Sequence, residues 1–345
     1  MRIRSRHIGH SLPPYIIAEL GVNHDGSVDR ALALVDAAAD AGADAVKLQH
    51  FRADLLMSRR STLATYQRAA GERDPVSMLE RLELGLPAMA QVIERARARS
   101  VDAIVTVFSV ELVAPANELD WDAFKTASPD IINRPLIDAL AATGRPLIVS
   151  TGAANATEVS RAMGWLAPIF PRAAALQCVS SYPAPPAHAS LAGIGALRDL
   201  CPIPIGYSDH TPLTETGALA VAAGACILEK HLTYDRTAHG PDHAASLDPA
   251  QLARYVELAR LAHTMMGPAE KRVLPVEENV REISRQSIVS TRDLAPGHRV
   301  ARDDLTVKRP GTGIEPWRLA EIVGMKTTRP IKADVPLSAG DVAPA

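Results

Sequence analysis

Short apolar runs recur over the first three-quarters of the chain, each followed by a polar loop and then by a stretch whose apolar residues return every three or four positions. The runs have the length of strands and the stretches have the period of helices. This pattern predicts strands at 15–20, 45–49, 103–107, 123–126, 146–150, 175–178, 203–207 and 225–230. Amphipathic helices are predicted at 29–41, 86–99, 135–143, 157–166 and 214–223, with another at 252–265 after the last strand. Gly42, Gly144, Gly224 and Gly267 follow helical stretches, where glycine commonly closes a C-terminus.

Eight strand–helix units in roughly 250 residues match a (β/α)8 or TIM barrel. A doubly wound open sheet shares the alternation and is the structural rival. The strand ends favour the barrel, because they carry Glu19, Lys47 with Gln49, Thr106, Lys125 with Ser128, Ser180, Ser208 with His210, and Lys230 with His231. In a barrel such ends converge on one mouth. The barrel is expected to occupy 1–267, with a charged, proline-containing linker at 268–284. From 285 to 345 the runs shorten and are broken by Pro296-Gly297 and Pro310-Gly311. This predicts a small, mostly β domain with strands at 287–291, 299–301, 305–307 and 327–331.

Composition narrows the partners. With 47% hydrophobic and 22% charged residues among 345, the chain has material for two packed domains. Thirty-seven basic residues balance thirty-nine acidic ones, so no long-range field favours nucleic acid or anionic lipid, and small ligands are the expected partners. No apolar stretch reaches the roughly 18 residues of a membrane span. Cys178, Cys201 and Cys226 form no CxxC pattern, which fits reduced thiols and, with no apolar leader, a cytoplasmic protein.

The chemistry concentrates at the strand ends. His210 and His231 follow consecutive strands, seven and eight, and so would be neighbours on a closed barrel. Two imidazoles can hold a divalent metal ion and leave it open to water and a substrate oxygen; the bland alternative is two structural histidines. Lys47 and Lys125 end apolar strands, where a cation must be paired or face the mouth. With Thr106, Ser180 and Ser208 as hydroxyl donors they could cradle a phosphate and a carboxylate. Internal ion pairs, Lys47 with Glu19 or Lys230 with Glu229, are the alternative. A lysine Schiff base is the rival chemistry; the histidine pair favours the metal route.

Six segments carry a resemblance. Residues 17–24 (IAELGVNH), 41–47 (AGADAVK), 206–211 (GYSDHT), 229–231 (EKH) and 240–247 (GPDHAASL) resemble the N-acetylneuraminate (sialic acid) synthase family, and 307–314 (VKRPGTGI) resembles its C-terminal antifreeze-like (SAF) domain. The resemblance implies condensation of phosphoenolpyruvate with an open-chain N-acylated hexose, N-acetylmannosamine first among them. It also implies a homodimer in which the small domain of one copy covers the barrel of the other.

By the same resemblance the metal ligands fall on His210 and His231, with Mn2+ or Mg2+ as the ion. Phosphoenolpyruvate contacts fall on Lys47, Thr106, Lys125, Ser128, Ser180 and Ser208. Gln49, Tyr182 and Asp242 match positions near the sugar, and Arg309 matches an arginine that reaches the N-acyl group from the second copy. Glu19 is assigned to orienting the sugar or the attacking water, and Asp130 stands where the family carries aspartate or glutamate. One departure is Pro129, where the family usually has glycine, which removes an amide that could otherwise contact ligand. Synthases of legionaminic or another nonulosonic acid are the nearest alternative. A pseudaminate synthase fits less well because 21–24 keeps GVNH, and activity on unacylated mannose is a further variant. A non-catalytic carbohydrate-binding protein is the reading from a different class.

Overall fold

The computed structural model describes all 345 residues, which divide into two compact units, Met1–Gly267 and Pro268–Ala345. In the first, β1 (Arg2–Ile3) and β2 (Arg6–His7) form an N-terminal hairpin. Eight parallel strands follow: β3 (Tyr15–Gly21), β4 (Ala45–His50), β5 (Asp102–Val107), β6 (Ala123–Lys125), β7 (Leu147–Ser150), β8 (Ala173–Cys178), β9 (Ile205–Asp209) and β10 (Ile227–His231). Each pairs with the next, and β10 returns to β3, closing a barrel with no free edge. The open-sheet rival is thereby excluded.

All eight predicted strands and six predicted helices are present, with ends shifted by a few residues at most. The glycines expected to end helices have positive φ, for example 83° at Gly42 and 103° at Gly224. Helices Val113–Asn117 and Gly193–Leu200, which follow β5 and β8, were not anticipated, and neither were three short ones, Ala53–Leu56, Thr65–Ala69 and Pro75–Leu82. The three short ones form an insertion between β4 and β5, packed through a core of its own around Phe51, Leu63 and Met78.

Alternation along the strands builds the interior. One face of each strand packs against the helices through residues such as Ile16, Ala18, Val46, Val105 and Phe124. The other points inward, and its lower layer is apolar: Tyr15, Ile17, Ala45, Ile104, Ala123, Ile148 and Ile227, joined by Ile3 and Ile8 of the N-terminal segment. One step of two residues along the same inward rows reaches Glu19, Lys47, Thr106, Lys125, Ser150 and Glu229. The inward face thus changes from apolar to charged within one layer.

In the second unit, β11 (Ser287–Ser290) pairs antiparallel with β12 (Leu305–Lys308), and β13 (Lys326–Thr327) with β14 (Val342–Ala343). The strand expected at 299–301 is reduced to a single bridge between Arg299 and Lys326, and that expected at 327–331 ends at Thr327. Close turns hold these segments instead of long ladders. The stretch 268–284 is not featureless, since Glu278–Ser284 is helical. Ile288, Leu294, Val300, Leu305 and Leu337 form the core of this unit.

Candidate active site

A cavity of about 450 Å³ opens at the C-terminal ends of the barrel strands, where sites form in this architecture. Thirteen of the fourteen residues singled out from the sequence line it. The fourteenth, Arg309, lies in the second unit, just after β12.

Lys47 and Lys125 form the floor and are almost fully buried. Register explains their neighbours: Lys47 stands beside Glu19 of β3, Thr106 beside Lys125 of β6, and Ser208 of β9 beside Glu229. Lys47 is ion-paired with Glu19, one of the two internal pairs raised as the alternative to anion binding, and its Nζ donates to Thr106 Oγ1 at 2.8 Å. The other pair raised there, Lys230 with Glu229, does not form. Lys230 is turned outward, 3.0 Å from Asp209 and over the Tyr255 ring, whereas Glu229 points into the cavity. Adjacent residues of a strand face opposite sides, so Glu229 and Lys230 could not meet and Lys230 could not join the mouth.

Glu229 instead lies 3.7 Å from Lys47 and 3.5 Å from Lys125, and Ser208 Oγ donates to it at 2.8 Å. Burial pulls the Lys47 ammonium down to about 7, with Glu229 opposing and Lys125 adding to the fall. For Glu229, burial pushes the other way, but Lys125 and Lys47 outweigh it and pull the carboxyl down to about 2.

His210 and His231 meet, their ring centroids 5.4 Å apart. Nδ1 of His210 lies 2.8 Å from the Val179 carbonyl, which can only accept, so that nitrogen carries a proton. Burial lowers the pKa of this imidazole, but Cys178, the Val179 carbonyl and Glu229 outweigh it and raise the pKa, so Nε2 offers a lone pair once the second proton has left. Nδ1 of His231 is buried without a hydrogen-bond partner, 3.6 Å from Asp242. An unpartnered imidazole nitrogen beside a second ring fits a divalent ion. No third cysteine, acid or histidine completes a protein cluster, so ligands other than protein would fill the remaining positions. Burial and the neighbouring His210 hold His231 well below its ordinary pKa, which keeps the imidazole neutral as ligation requires.

Tyr182 stacks on His210 at 4.0 Å and meets Tyr66 of the insertion at 5.0 Å. Asp242 is held by a staple between two loops. Asn23, after β3, donates to Leu232 O at 2.9 Å and to Ser246 Oγ at 2.8 Å, and Ser246 Oγ donates to Asp242 O at 2.7 Å. The two motifs at 17–24 and 240–247 therefore stand together because their loops are tied. Gly21 adopts φ 46°, and a side chain there would crowd Glu19 and Gln49 at about 3 Å. Pro129 follows Ser128 in a 3-10 turn, where its missing N–H would have no intrahelical partner in any case. Asp130 in the same turn accepts from Asn133 at 3.1 Å, and burial raises its pKa.

Four features escaped the sequence reading. Glu229 is one. Ser150, at the end of β7, has a buried hydroxyl with no partner and faces the cavity. Cys178 lies 3.8 Å from His210 and 3.5 Å from Ser128. Burial pushes its thiol up, but His210 outweighs this and brings it to about 7. Strand parity could have found all three, since each lies an even number of residues from an inward neighbour. The fourth is the apolar wall from Leu56, Met57, Met78, Leu79 and Leu82, supplied by the insertion; no pattern in that segment announces where it folds back.

Comparison with known proteins finds relatives of this fold and sequence. Over 336 aligned residues the chain is 36% identical to the N,N'-diacetyllegionaminic acid synthase of Legionella pneumophila, covering 95% of this chain and 94% of that protein. It is 31% identical to the human N-acetylneuraminate-9-phosphate synthase, with 95% and 92% covered. The crystal structure of the N-acetylneuraminic acid synthetase of Leptospira borgpetersenii superposes with a TM-score of 0.75 at 32% identity, over 81% of this chain and 94% of that one. Residues 34–271 match the NeuB family and residues 285–343 the SAF domain. With its closed barrel, its polar mouth and its small antiparallel second unit, the chain belongs to the NeuB family and carries a C-terminal SAF domain.

Proposed function

We propose that the protein condenses phosphoenolpyruvate with an open-chain N-acylated hexose to give a nine-carbon sugar acid and phosphate. The observation that carries this is the pair of buried lysines, ringed by hydroxyls, in the same cavity as two facing imidazoles. Both lysines line the cavity beside carboxylates, Glu19 and Glu229, and a substrate with separate phosphate and carboxylate groups offers an anion to each of them.

In this reading Lys47, Thr106, Lys125, Ser128, Ser180 and Ser208 receive the phosphate and carboxylate. Gln49, Tyr182 and Asp242 contact the sugar, Asp130 closes the side of the cavity beside Ser128, and Glu19 orients the sugar or the attacking water. C3 of phosphoenolpyruvate bonds to the aldehyde carbon, whose oxygen gains a proton. Water adds at C2, and collapse of the adduct breaks the C–O bond to phosphate and leaves a C2 carbonyl. Lys47 and Lys125 stabilise the anions throughout. His210 and His231 would hold Mn2+ or Mg2+, which supplies Lewis-acid polarisation of the aldehyde when bound. Positioning both substrates is worth roughly 7 to 11 kcal/mol at best. A homodimer brings Arg309 of a second copy to the acyl group, and the reaction belongs to the cytoplasm.

N-acetylmannosamine is the first sugar of this reading. A doubly acylated sugar of the legionaminic type is the second, favoured by the apolar wall of the insertion, which would receive acyl methyl groups. Two relatives at 36% identity are named N,N'-diacetyllegionaminic acid synthases. Incubation with phosphoenolpyruvate, Mn2+ and a panel of N-acylated hexoses, read by phosphate release and product mass, tests the reaction and ranks the sugars. Absence of sugar-dependent phosphate release across the panel would overturn it.

A further inference from the structure

We propose that Glu229 is the positioning residue of the phosphoenolpyruvate subsite, its carboxylate fixing Lys125, Lys47 and Ser208 in the orientation that meets the two anionic groups. The inference rests on the function proposed above. Glu229 is the one carboxylate within ion-pair reach of both lysines. Lys47 has a second partner in Glu19, whereas Lys125 has none and otherwise donates only to the backbone oxygen of Thr126 at 3.2 Å. Removing the Glu229 charge therefore leaves Lys125 without an anion in a buried site, facing a like charge.

Distance matters to the role. At 3.5 and 3.7 Å the two ionic contacts lie beyond the usual 2.7–3.2 Å of an N–H···O hydrogen bond, so Glu229 takes up little of the lysines' donor capacity, and Lys125, which otherwise donates only to Thr126 O, keeps protons for a ligand. The position is set by register, since Glu229 sits between Ser208 of β9 and Ile17 of β3, directly above the apolar layer that contains Ile17 and Ile227. Two ammonium groups facing two carboxylates give a charge-balanced floor, and the donors that Glu229 leaves free meet the substrate's anions. The opposite role, a carboxylate that merely repels the substrate, predicts the opposite result on neutralisation.

Steady-state phosphate release by the wild type, Glu229→Gln and Glu229→Asp, with each substrate varied in turn, separates the two. Glu229→Gln keeps the size and the acceptor for Ser208 but loses the charge. It is expected to raise the KM for phosphoenolpyruvate at least about tenfold and leave that for the sugar within about twofold, and Glu229→Asp recovers part of the loss. Where turnover is too slow, calorimetric titration with phosphoenolpyruvate gives the same comparison, and circular dichroism checks the fold. Unchanged or tighter phosphoenolpyruvate binding by Glu229→Gln overturns the inference, as does an equal rise in both KM values. A wild type that releases no phosphate with any acylated hexose overturns the proposed function instead.

Discussion

Glu229 in the barrel and Asp304 in the small unit are both buried carboxylates held at a pKa of about 2, yet by different means. Glu229 faces two lysines that are themselves buried and a serine in the cavity. Asp304 accepts from the Ala301 amide at 2.9 Å, from His298 at 2.7 Å and from the half-exposed Arg292 at 2.8 Å. The Asp304 network is closed: it ties a turn to a strand and its cation keeps contact with water. The Glu229 cluster buries cations with protons to spare, which costs stability unless a ligand uses them. A depressed carboxyl pKa alone does not mark a site; the burial of its partners does.

The largest expected effect breaks the functional side of that contrast. Lys47→Met should lower kcat/KM for phosphoenolpyruvate by about a thousandfold or more, equivalent to about 4 kcal/mol of transition-state stabilisation, in a phosphate-release assay. Chelation of divalent ions should likewise abolish turnover, with Mn2+ restoring it to the wild type. His231→Ala should bind less than one tenth of the metal by elemental analysis and show about a hundredfold lower rate.

Asp304→Ala tests the structural side. It should destabilise the small unit by about 2 to 3 kcal/mol, read by hydrogen exchange of 287–308, without changing calorimetric affinity for phosphoenolpyruvate. The pH response carries the sign. The folded-state pKa of Asp304 lies below the roughly 4 of an exposed aspartate, so its stabilisation is complete above about pH 4 and is lost as pH falls through about 2. Acid unfolding monitored through the same amides checks this.

Lys47 responds in the opposite range. Its ammonium form is the one that binds an anion, and its pKa is about 7, so affinity for phosphoenolpyruvate should fall as pH rises through 7, by up to about tenfold per unit. The smallest effect is steric. A methyl on Gly152 would meet Ser128 Oγ at 2.7 Å and Cys178 Sγ at 2.9 Å, and Ser180 closer still. Gly152→Ala should raise the KM for phosphoenolpyruvate several-fold and cost about 1 to 3 kcal/mol of stability, read by thermal unfolding.

Much of the fold was legible because it follows from periodicity. The eight barrel strands are short apolar runs separated by amphipathic helices, a local pattern that survives without knowledge of contacts. The small domain was less so: residues 299–301 and 327–331 resemble strands in composition but are held by single bridges and turns. The insertion at 53–82 was missed because its helices are too short for their period to show.

Sequence by itself determined the alternation, the count of eight units and the residue types at the strand ends, since strand period and helix period are properties of neighbouring residues; closure of the eight into a barrel was decided by the pairing of β10 with β3. Sequence also placed thirteen of the fourteen chosen side chains at one mouth, because every strand of a parallel barrel ends on the same side. Only the tertiary structure decided who pairs with whom. Lys230 took Asp209 and turned outward, Glu229 took Lys47, Lys125 and Ser208, and Asn23 tied two distant loops around Asp242. Those choices depend on register between strands far apart in the chain and on the need of each buried charge for a counter-charge within reach, and neither is written in any local stretch of residues.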